Sequence, residues 1–286
     1  MEPDVLERSK TTLANASTQI SDLEKALKSC VVTLITTGSV SDQTAYMMHK
    51  FLRHCSDGEI SLLIESGGGN IDAVAKIIKM IRNRFQKFRS IVPYYAKSAA
   101  TLLAVDSDEI YFCKSGELGP VDPQVRDPYT GTWIPAHSIK EAMNFIEESK
   151  DNLVKLSMAE KMPPLLIGAF RDAQKASREY LEEACEKLGA KKTTAVKLFL
   201  DKYTSHGYPI DREICKKEGL NVVFPKDDIE NMICGLHETY FDFLLQLHKT
   251  ESLKKEGEES QFDITIIQSS KDKILIINGE DISTLV

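Results

Sequence analysis

Two spacings of apolar residues alternate along the chain. Short continuous apolar runs occur at residues 30–36 (CVVTLIT), 60–65 (ISLLIE), 88–94 and 110–113. Such runs, rich in Val, Ile and Phe, predict buried β-strands. Between them the spacing changes to three and four. Residues 41–54 place Ala45, Met48 and Leu52 on one helical face, and residues 71–85 do the same with Ile71, Val74, Ile78, Ile81 and Phe85. Residues 98–104 predict a short helix of small residues. Strand and helix alternating through short connections imply an α/β fold with a mostly parallel sheet and right-handed crossovers.

The flanks read differently. Residues 4–29 are polar with a sparse stripe at Leu6, Leu13, Ile20, Leu23 and Leu27, which predicts a surface or partner-packing helix. Residues 138–188 are helical in pattern, interrupted at Met162-Pro163-Pro164, where proline ends or kinks a helix. A helix at 191–202, a strand at 220–224 and a long amphipathic helix at 227–249 follow. The run KTESLKKEGEESQ has the composition of a solvated linker, and the tail FDITIIQSSKDKILIING carries two β-rich runs around a polar turn. The expected organisation is an N-terminal helix (1–29), one α/β domain (30–249), a charged linker (250–261) and a C-terminal β-hairpin or tail (262–286). No internal repeat is visible.

Composition narrows the functional classes. With 43 acidic against 36 basic residues the net charge is −7, which argues against a phosphate-backbone partner such as nucleic acid. No apolar run is long enough for a membrane span, and residues 1–19 lack the apolar core of a signal peptide. The six cysteines are scattered, without a C-x-x-C pair or a histidine at ligand spacing, and His49 and His54 are five apart rather than three or four. Free thiols in a reducing, cytoplasmic setting are the expectation, with no metal and no cofactor implied.

Two turns carry candidate chemistry. Glu65-Ser66-Gly67-Gly68-Gly69-Asn70 joins a strand to a helix, with Asn70 placed as the helix N-cap. Consecutive glycines let backbone amides approach a ligand, which suits a phosphate, an oxyanion or simply a tight turn. A phosphate loop would need a G-K-[ST] ending or a G-x-G-x-x-G spacing, and neither is present. The second turn, Tyr95-Ala96-Lys97-Ser98-Ala99, sets Ser98 at the start of the next helix, where a serine either caps the helix or serves as a nucleophile. Successive parallel strands end along one edge, so the two turns are expected to be neighbours. Amides of Gly68, Gly69 and Ala99 would then surround the Ser98 hydroxyl.

These residues carry a family resemblance. S-G-G-G-N-I resembles the S-P-G-G-x-[VI] loop of Clp-type proteases and signal peptide peptidase A. A-K-S-A-A-T-L-L-A resembles their A-x-S-[AMG]-[GA] nucleophile helix, and the 29-residue interval from Gly69 to Ser98 fits them. D-E-I-Y-F…S-G-E-L-G-P-V-D-P-Q, then S-H-G-Y-P-I and E-G-L-N-V, resemble segments of the serine dehydrogenase proteinase family, over about residues 30–225. Gly67 departs from the proline usual there, and Gly207 from an aspartate. The resemblance implies a ClpP/crotonase-like fold of repeated β-β-α units with flanking helices, a serine peptidase acting on peptides or proteins, and a homo-oligomer with contacts from helices such as 71–85. Two alternatives stand: a catalytically silent scaffold that oligomerises or binds partners, and a crotonase-type acyl-CoA enzyme.

A serine hydroxyl needs a base. The loop 119–124 (GPVDPQ) has no histidine where Clp-type proteases carry theirs, so a Ser-Lys dyad of the signal peptide peptidase kind is implied. A lysine serves as base only when neutral, which requires its pKa to fall from near 10.4 to about 7–8. Matching D-A-Q-K-A to the family's A-K-K-A segment puts the role on Lys175, and Lys140 is the second candidate. His206 either lines the site or is a satisfied structural histidine. His137 is a weaker candidate base, and Asp122 is read as shaping its loop.

Overall fold

The computed structural model describes residues 3–56, 58–127, 130–249 and 263–281. The chain divides into two compact units, residues 1–118 with 209–286, and residues 119–208. The linker expected at 250–261 lies outside the described residues.

The first unit is built on one sheet. Its members are β1 (Cys30–Thr36), β2 (Glu59–Ser66), β3 (Lys87–Val92), β4 (Tyr95–Ala96), β5 (Glu109–Phe112) and β6 (Glu117–Leu118). The helices threaded among them are α1 (Pro3–Leu27), α2 (Asp42–Leu52), α3 (Ile71–Arg84) and α4 (Ala99–Asp106). The β1 run is rich in Val and Ile, whose branched side chains favour the pleated conformation. A Ser41–Thr44 capping box starts α2, and the Asn70 side chain caps α3 by accepting from the amides of Asp72 and Ala73. β1, β2, β3 and β5 pair in parallel, Cys30 opposite Ile60 through Thr36 opposite Ser66. The carboxyl ends of these strands therefore share one edge, which is where ligands bind in such sheets.

The second unit holds the hairpin β7 (Gln124–Arg126) and β8 (Trp133–Pro135), then α5 (Ala136–Glu148), α6 (Asn152–Lys161), α7 (Pro164–Ala184) and α8 (Lys192–Leu200). Its core gathers Val125, Ala136, Ile139, Leu166 and Phe170. The helical stretch expected at 138–188 is thus three helices. One break is the foreseen Pro163-Pro164, with Pro164 opening α7, and the other is capped by Asp151, which accepts from the Leu153 amide.

The chain then returns to the first unit through β9 (Ile210–Asp211), α9 (Arg212–Lys217), β10 (Val222–Val223) and α10 (Asp227–Lys249), and closes with β11 (Ile264–Gln268), β12 (Lys273–Ile277) and β13 (Glu280–Asp281). β10 adds in parallel beside β5. The terminal hairpin extends the sheet: β11 lies antiparallel against β1, Thr33 opposite Gln268, and β12 lies against β11.

The N-terminal helix differs most from the sequence reading. It was expected at the surface, yet Leu13, Ala16, Ile20 and Leu23 are fully buried, packed with α10 residues Ile233, Leu236, Tyr240 and Phe243 over one face of the sheet. From Leu13 to Leu23 the stripe is covered within the chain, so that part is not free for a partner. A buried polar bridge fixes this layer. The Tyr240 hydroxyl meets Thr33 Oγ1 and donates to Gln268 Oε1, while Gln268 Nε2 donates to the Leu13 carbonyl and to Ser17 Oγ. Gln268→Ala strands these partners and leaves a cavity. It is expected to cost about 3 kcal/mol and lower Tm by about 6–12 °C in thermal denaturation.

Candidate active site

The glycine loop begins where β2 ends. The Gly68 amide donates to Ser66 Oγ at 3.1 Å. The Val40 amide donates to the Gly68 carbonyl and the Asn70 amide to the Val40 carbonyl, each at 2.8 Å, so Gly69 sits in a parallel bridge with Val40. In this pattern the two residues flanking Gly69 bond to Val40, and the Gly69 amide faces the other way. Gly68 and Gly69 have φ of 110° and 144°, which L side chains rarely adopt. A Cβ at Gly68 would lie 2.7 Å from Ser98 Cβ and 3.0 Å from the Ala99 nitrogen. The loop is thus in direct contact with the serine turn. Of the three amides expected around the serine, that of Gly68 is engaged by Ser66, which leaves those of Gly69 and Ala99.

Ser98 takes φ 52° and ψ −127° and makes no side-chain cap hydrogen bond, although it occupies the N-cap position of α4. A non-glycine residue held there costs about 1–3 kcal/mol, and surrounding contacts must enforce it. They do so on both sides. The Lys97 amide donates to the Ser66 carbonyl at 2.9 Å, and Thr101 Oγ1 donates to the Ala96 carbonyl at 2.9 Å. The helix that follows is buried from Ala99 to Val105, which seats its N-terminus firmly at the sheet edge. The partial positive charge of that terminus lies beside the half-buried Ser98 hydroxyl.

Charged groups border the turn that sequence reasoning did not single out. Lys97 Nζ lies 2.5 Å from Glu117 Oε1, so the ammonium next in sequence to Ser98 is held in an ion pair. Glu65, one residue before Ser66, is buried with its carboxylate 2.5 Å from Nε2 of His237 on α10. Tyr94 lies against that imidazole, and the Tyr95 hydroxyl is pushed up by burial and by the nearby Glu65 charge. No local pattern announced Glu65 and His237 as partners, because they are far apart in sequence.

The candidate bases all belong to the second unit. Lys175 lies on α7 with 76% of its side chain exposed and Nζ 3.8 Å from Glu179 one turn on. Lys140 is exposed on α5. His206 is half-buried and electrostatically coupled to Asp122. The Asp122 carboxyl is raised by burial, against which the hydrogen bond from the His137 amide works. Among the described residues no cluster of three His, Cys, Asp or Glu is arranged to hold a metal.

A mostly parallel α/β sheet with a strained serine at its carboxyl edge, beside a glycine loop, is the architecture in which serine hydrolases hold a nucleophile at a strand–helix turn. Residues 39–254 match the family of ClpP-like SDH-type serine proteinases, and the chain belongs to that family. The match begins after β1 and continues through α10, beyond the resemblance read at about residues 30–225. Two relatives from Methanocaldococcus jannaschii, the uncharacterized proteins MJ0137 and MJ1495, are 31% and 30% identical over 166 and 169 residues, 58% of this chain in each case. The chain spans about half the length of these relatives, 54% and 52%. Among solved structures it is similar to the 1510-N membrane-bound stomatin-specific protease (TM-score 0.45, 16% identity, 69% of this chain and 79% of that one). It is also similar to ClpP1 from Listeria monocytogenes (TM-score 0.43, 13% identity, 72% and 98%). No helix among the described residues is long and apolar enough to cross a membrane.

Proposed function

We propose that the protein is a serine peptidase in which Ser98 is the nucleophile, Lys175 the general base, and the Gly69 and Ala99 amides the oxyanion donors. The observation that carries this reading is the Ser98 backbone: a serine at an N-cap position that takes a strained conformation and does not cap. A helix cap gains nothing from that strain, whereas a nucleophile gains a hydroxyl held beside amides and a helix dipole. Ser98 Oγ attacks the scissile carbonyl carbon while neutral Lys175 Nζ takes its proton. The carbonyl oxygen becomes an oxyanion facing the two amides. Collapse of the tetrahedral adduct breaks the C–N bond, and Lys175 returns the proton to the leaving amine. Water, deprotonated by the same lysine, then hydrolyses the acyl-enzyme. The substrate is a peptide or protein, and the active form is a homo-oligomer.

Labelling with a serine-reactive fluorophosphonate tests both assignments. Lys175→Ala is expected to slow labelling and peptide hydrolysis by about 10²–10⁴-fold, with Ser98 still the modified residue when labelling is forced. Labelling of Lys175→Ala at the parent rate would move the base elsewhere, with Lys140 next in line. One observation favours the second reading, a catalytically silent scaffold: Lys175 is exposed and lies beside the Glu179 carboxylate rather than in an apolar pocket. A parent protein that is not labelled in any assembly state would support it.

A further inference from the structure

At the amino ends of the same strands, away from the serine turn, lies a cavity. It measures about 330 Å³, is open to solvent, and includes Cys30, Cys55, His54, Glu59, Lys271 and Asp272 in its lining. Six strand steps separate Cys30 from Thr36 at the catalytic edge, about 20 Å at the rise of a β-strand. The cavity therefore belongs to a different site from Ser98.

Two thiols meet there. Cys30 is the first residue of β1 and half-buried, while Cys55 follows α2 and is almost fully buried. Both side chains line this one cavity, and Cys55 Sγ also approaches the Phe51 carbonyl at 3.9 Å. Arg84 donates from Nη2 to the Cys55 carbonyl at 2.7 Å, which sets a guanidinium beside this residue. The consequences for the two sulfurs are opposite. The neighbouring Cys30 thiol and the Arg84 charge push Cys55 down against the effect of burial, while Cys55 and burial push Cys30 up. A thiol pushed toward ionisation beside a partner thiol that is not, both at the wall of an open cavity, is the arrangement of an attacking and a resolving cysteine.

We propose that Cys30 and Cys55 form a peroxide-sensitive dithiol site that closes to a reversible intramolecular disulfide. The Cys55 thiolate attacks one oxygen of a peroxide. The O–O bond breaks, the leaving oxygen takes a proton and departs as water or alcohol, and Cys55 becomes a sulfenic acid. The Cys30 sulfur then attacks the Cys55 sulfur, the S–O bond breaks, and the hydroxide leaves as water with the Cys30 proton. Two thiols are oxidised by two electrons and one peroxide is reduced by two.

The molecule supplies its own comparison. Cys113 and Cys234 also approach each other, but Cys113 is wholly enclosed in the apolar layer under α10, and burial pushes both of those thiols up. Proximity is common to the two pairs, whereas the solvent cavity and the favoured thiolate distinguish Cys30–Cys55.

The test uses the intact protein and a few equivalents of hydrogen peroxide, followed by alkylation and tryptic digestion without reductant. The six thiols titratable in denaturant are expected to fall to four. Tryptic fragments 29–50 and 54–76, each with one cysteine, are expected joined and two hydrogens lighter, and dithiothreitol should separate them. A trivalent arsenical such as phenylarsine oxide should protect the same two thiols in the native protein. In Cys30→Ser the sulfenic acid cannot be resolved, so dimedone should tag Cys55. The proposal is overturned if both fragments are recovered singly alkylated, if Cys55 proceeds to sulfinic acid with Cys30 free, or if Cys113–Cys234 links first.

Discussion

Ser98→Ala is expected to fold like the parent and to lose fluorophosphonate labelling and peptide hydrolysis by at least about 10⁴-fold, the loss that follows removal of a covalent nucleophile. The more telling companion is Ser98→Gly. If strain is held at this position for the sake of the hydroxyl, removing the Cβ releases it, and no cap hydrogen bond is lost because none exists. Ser98→Gly should therefore be inert yet more stable than Ser98→Ala by about 1 kcal/mol, which thermal denaturation reads as a Tm higher by about 2–4 °C. The comparison with the parent separates the two readings: a plain helix cap predicts Ser98→Gly to be less stable than the parent, because a cap hydrogen bond is lost, whereas release of strain predicts it to be more stable. Equal labelling of parent and Ser98→Ala would end the nucleophile assignment.

Gly69→Ala is expected to have the larger effect on the fold. A Cβ there would stand 2.4 Å from the backbone nitrogen and oxygen of Val40, atoms that cannot turn aside like a side chain, and φ of 144° is itself unfavourable for alanine. Relief requires breaking the bridge that ties the glycine loop to Val40. The cost is expected to be about 3–5 kcal/mol, measured as a shift of the denaturant midpoint, with activity lost in whatever fraction folds. Gly67→Ala is the matched control. A Cβ at Gly67 meets nothing within 4 Å and its φ is not positive, so stability should change by less than about 0.5 kcal/mol. Comparable losses in the two variants would show that the loop is not pinned against Val40.

Local pattern made the centre of the protein legible. The runs at 30–36 and 60–65 became adjacent parallel strands because both are continuous and β-branched, and parallel order alone sets the Gly69 and Ser98 turns on one edge. Ser98 could be singled out but not resolved, since cap and nucleophile share a sequence signature and differ in φ. What stayed hidden depends on partners distant in the chain. Ser66 holds the Gly68 amide through a hydroxyl that sequence would read as an ordinary strand end. Glu65 finds His237 across the sheet. The stripe of α1 looked too sparse for a core helix because the residues completing its environment lie on α10 and on β11, more than two hundred positions later. The base lysine is the hardest to read. Any exposed helix offers several lysines, and spacing says which face each occupies without saying what that face meets.

The pairing of β1 with β11 has a consequence for how the chain is made. β1 is synthesised before the other strands of the parallel sheet, but its second neighbour is residues 264–268, produced after all of them. Throughout that interval the Val- and Ile-rich β1 has one edge of unpaired amides and carbonyls, and the apolar stripe of α1 waits for α10. Sheet closure therefore joins the early and late parts of the chain in one step, and its rate is set by a loop of more than two hundred residues rather than by any local turn. For a nascent chain the vulnerable surface is consequently not the serine edge but the flank of β1, where another copy's strand could dock before the protein's own arrives.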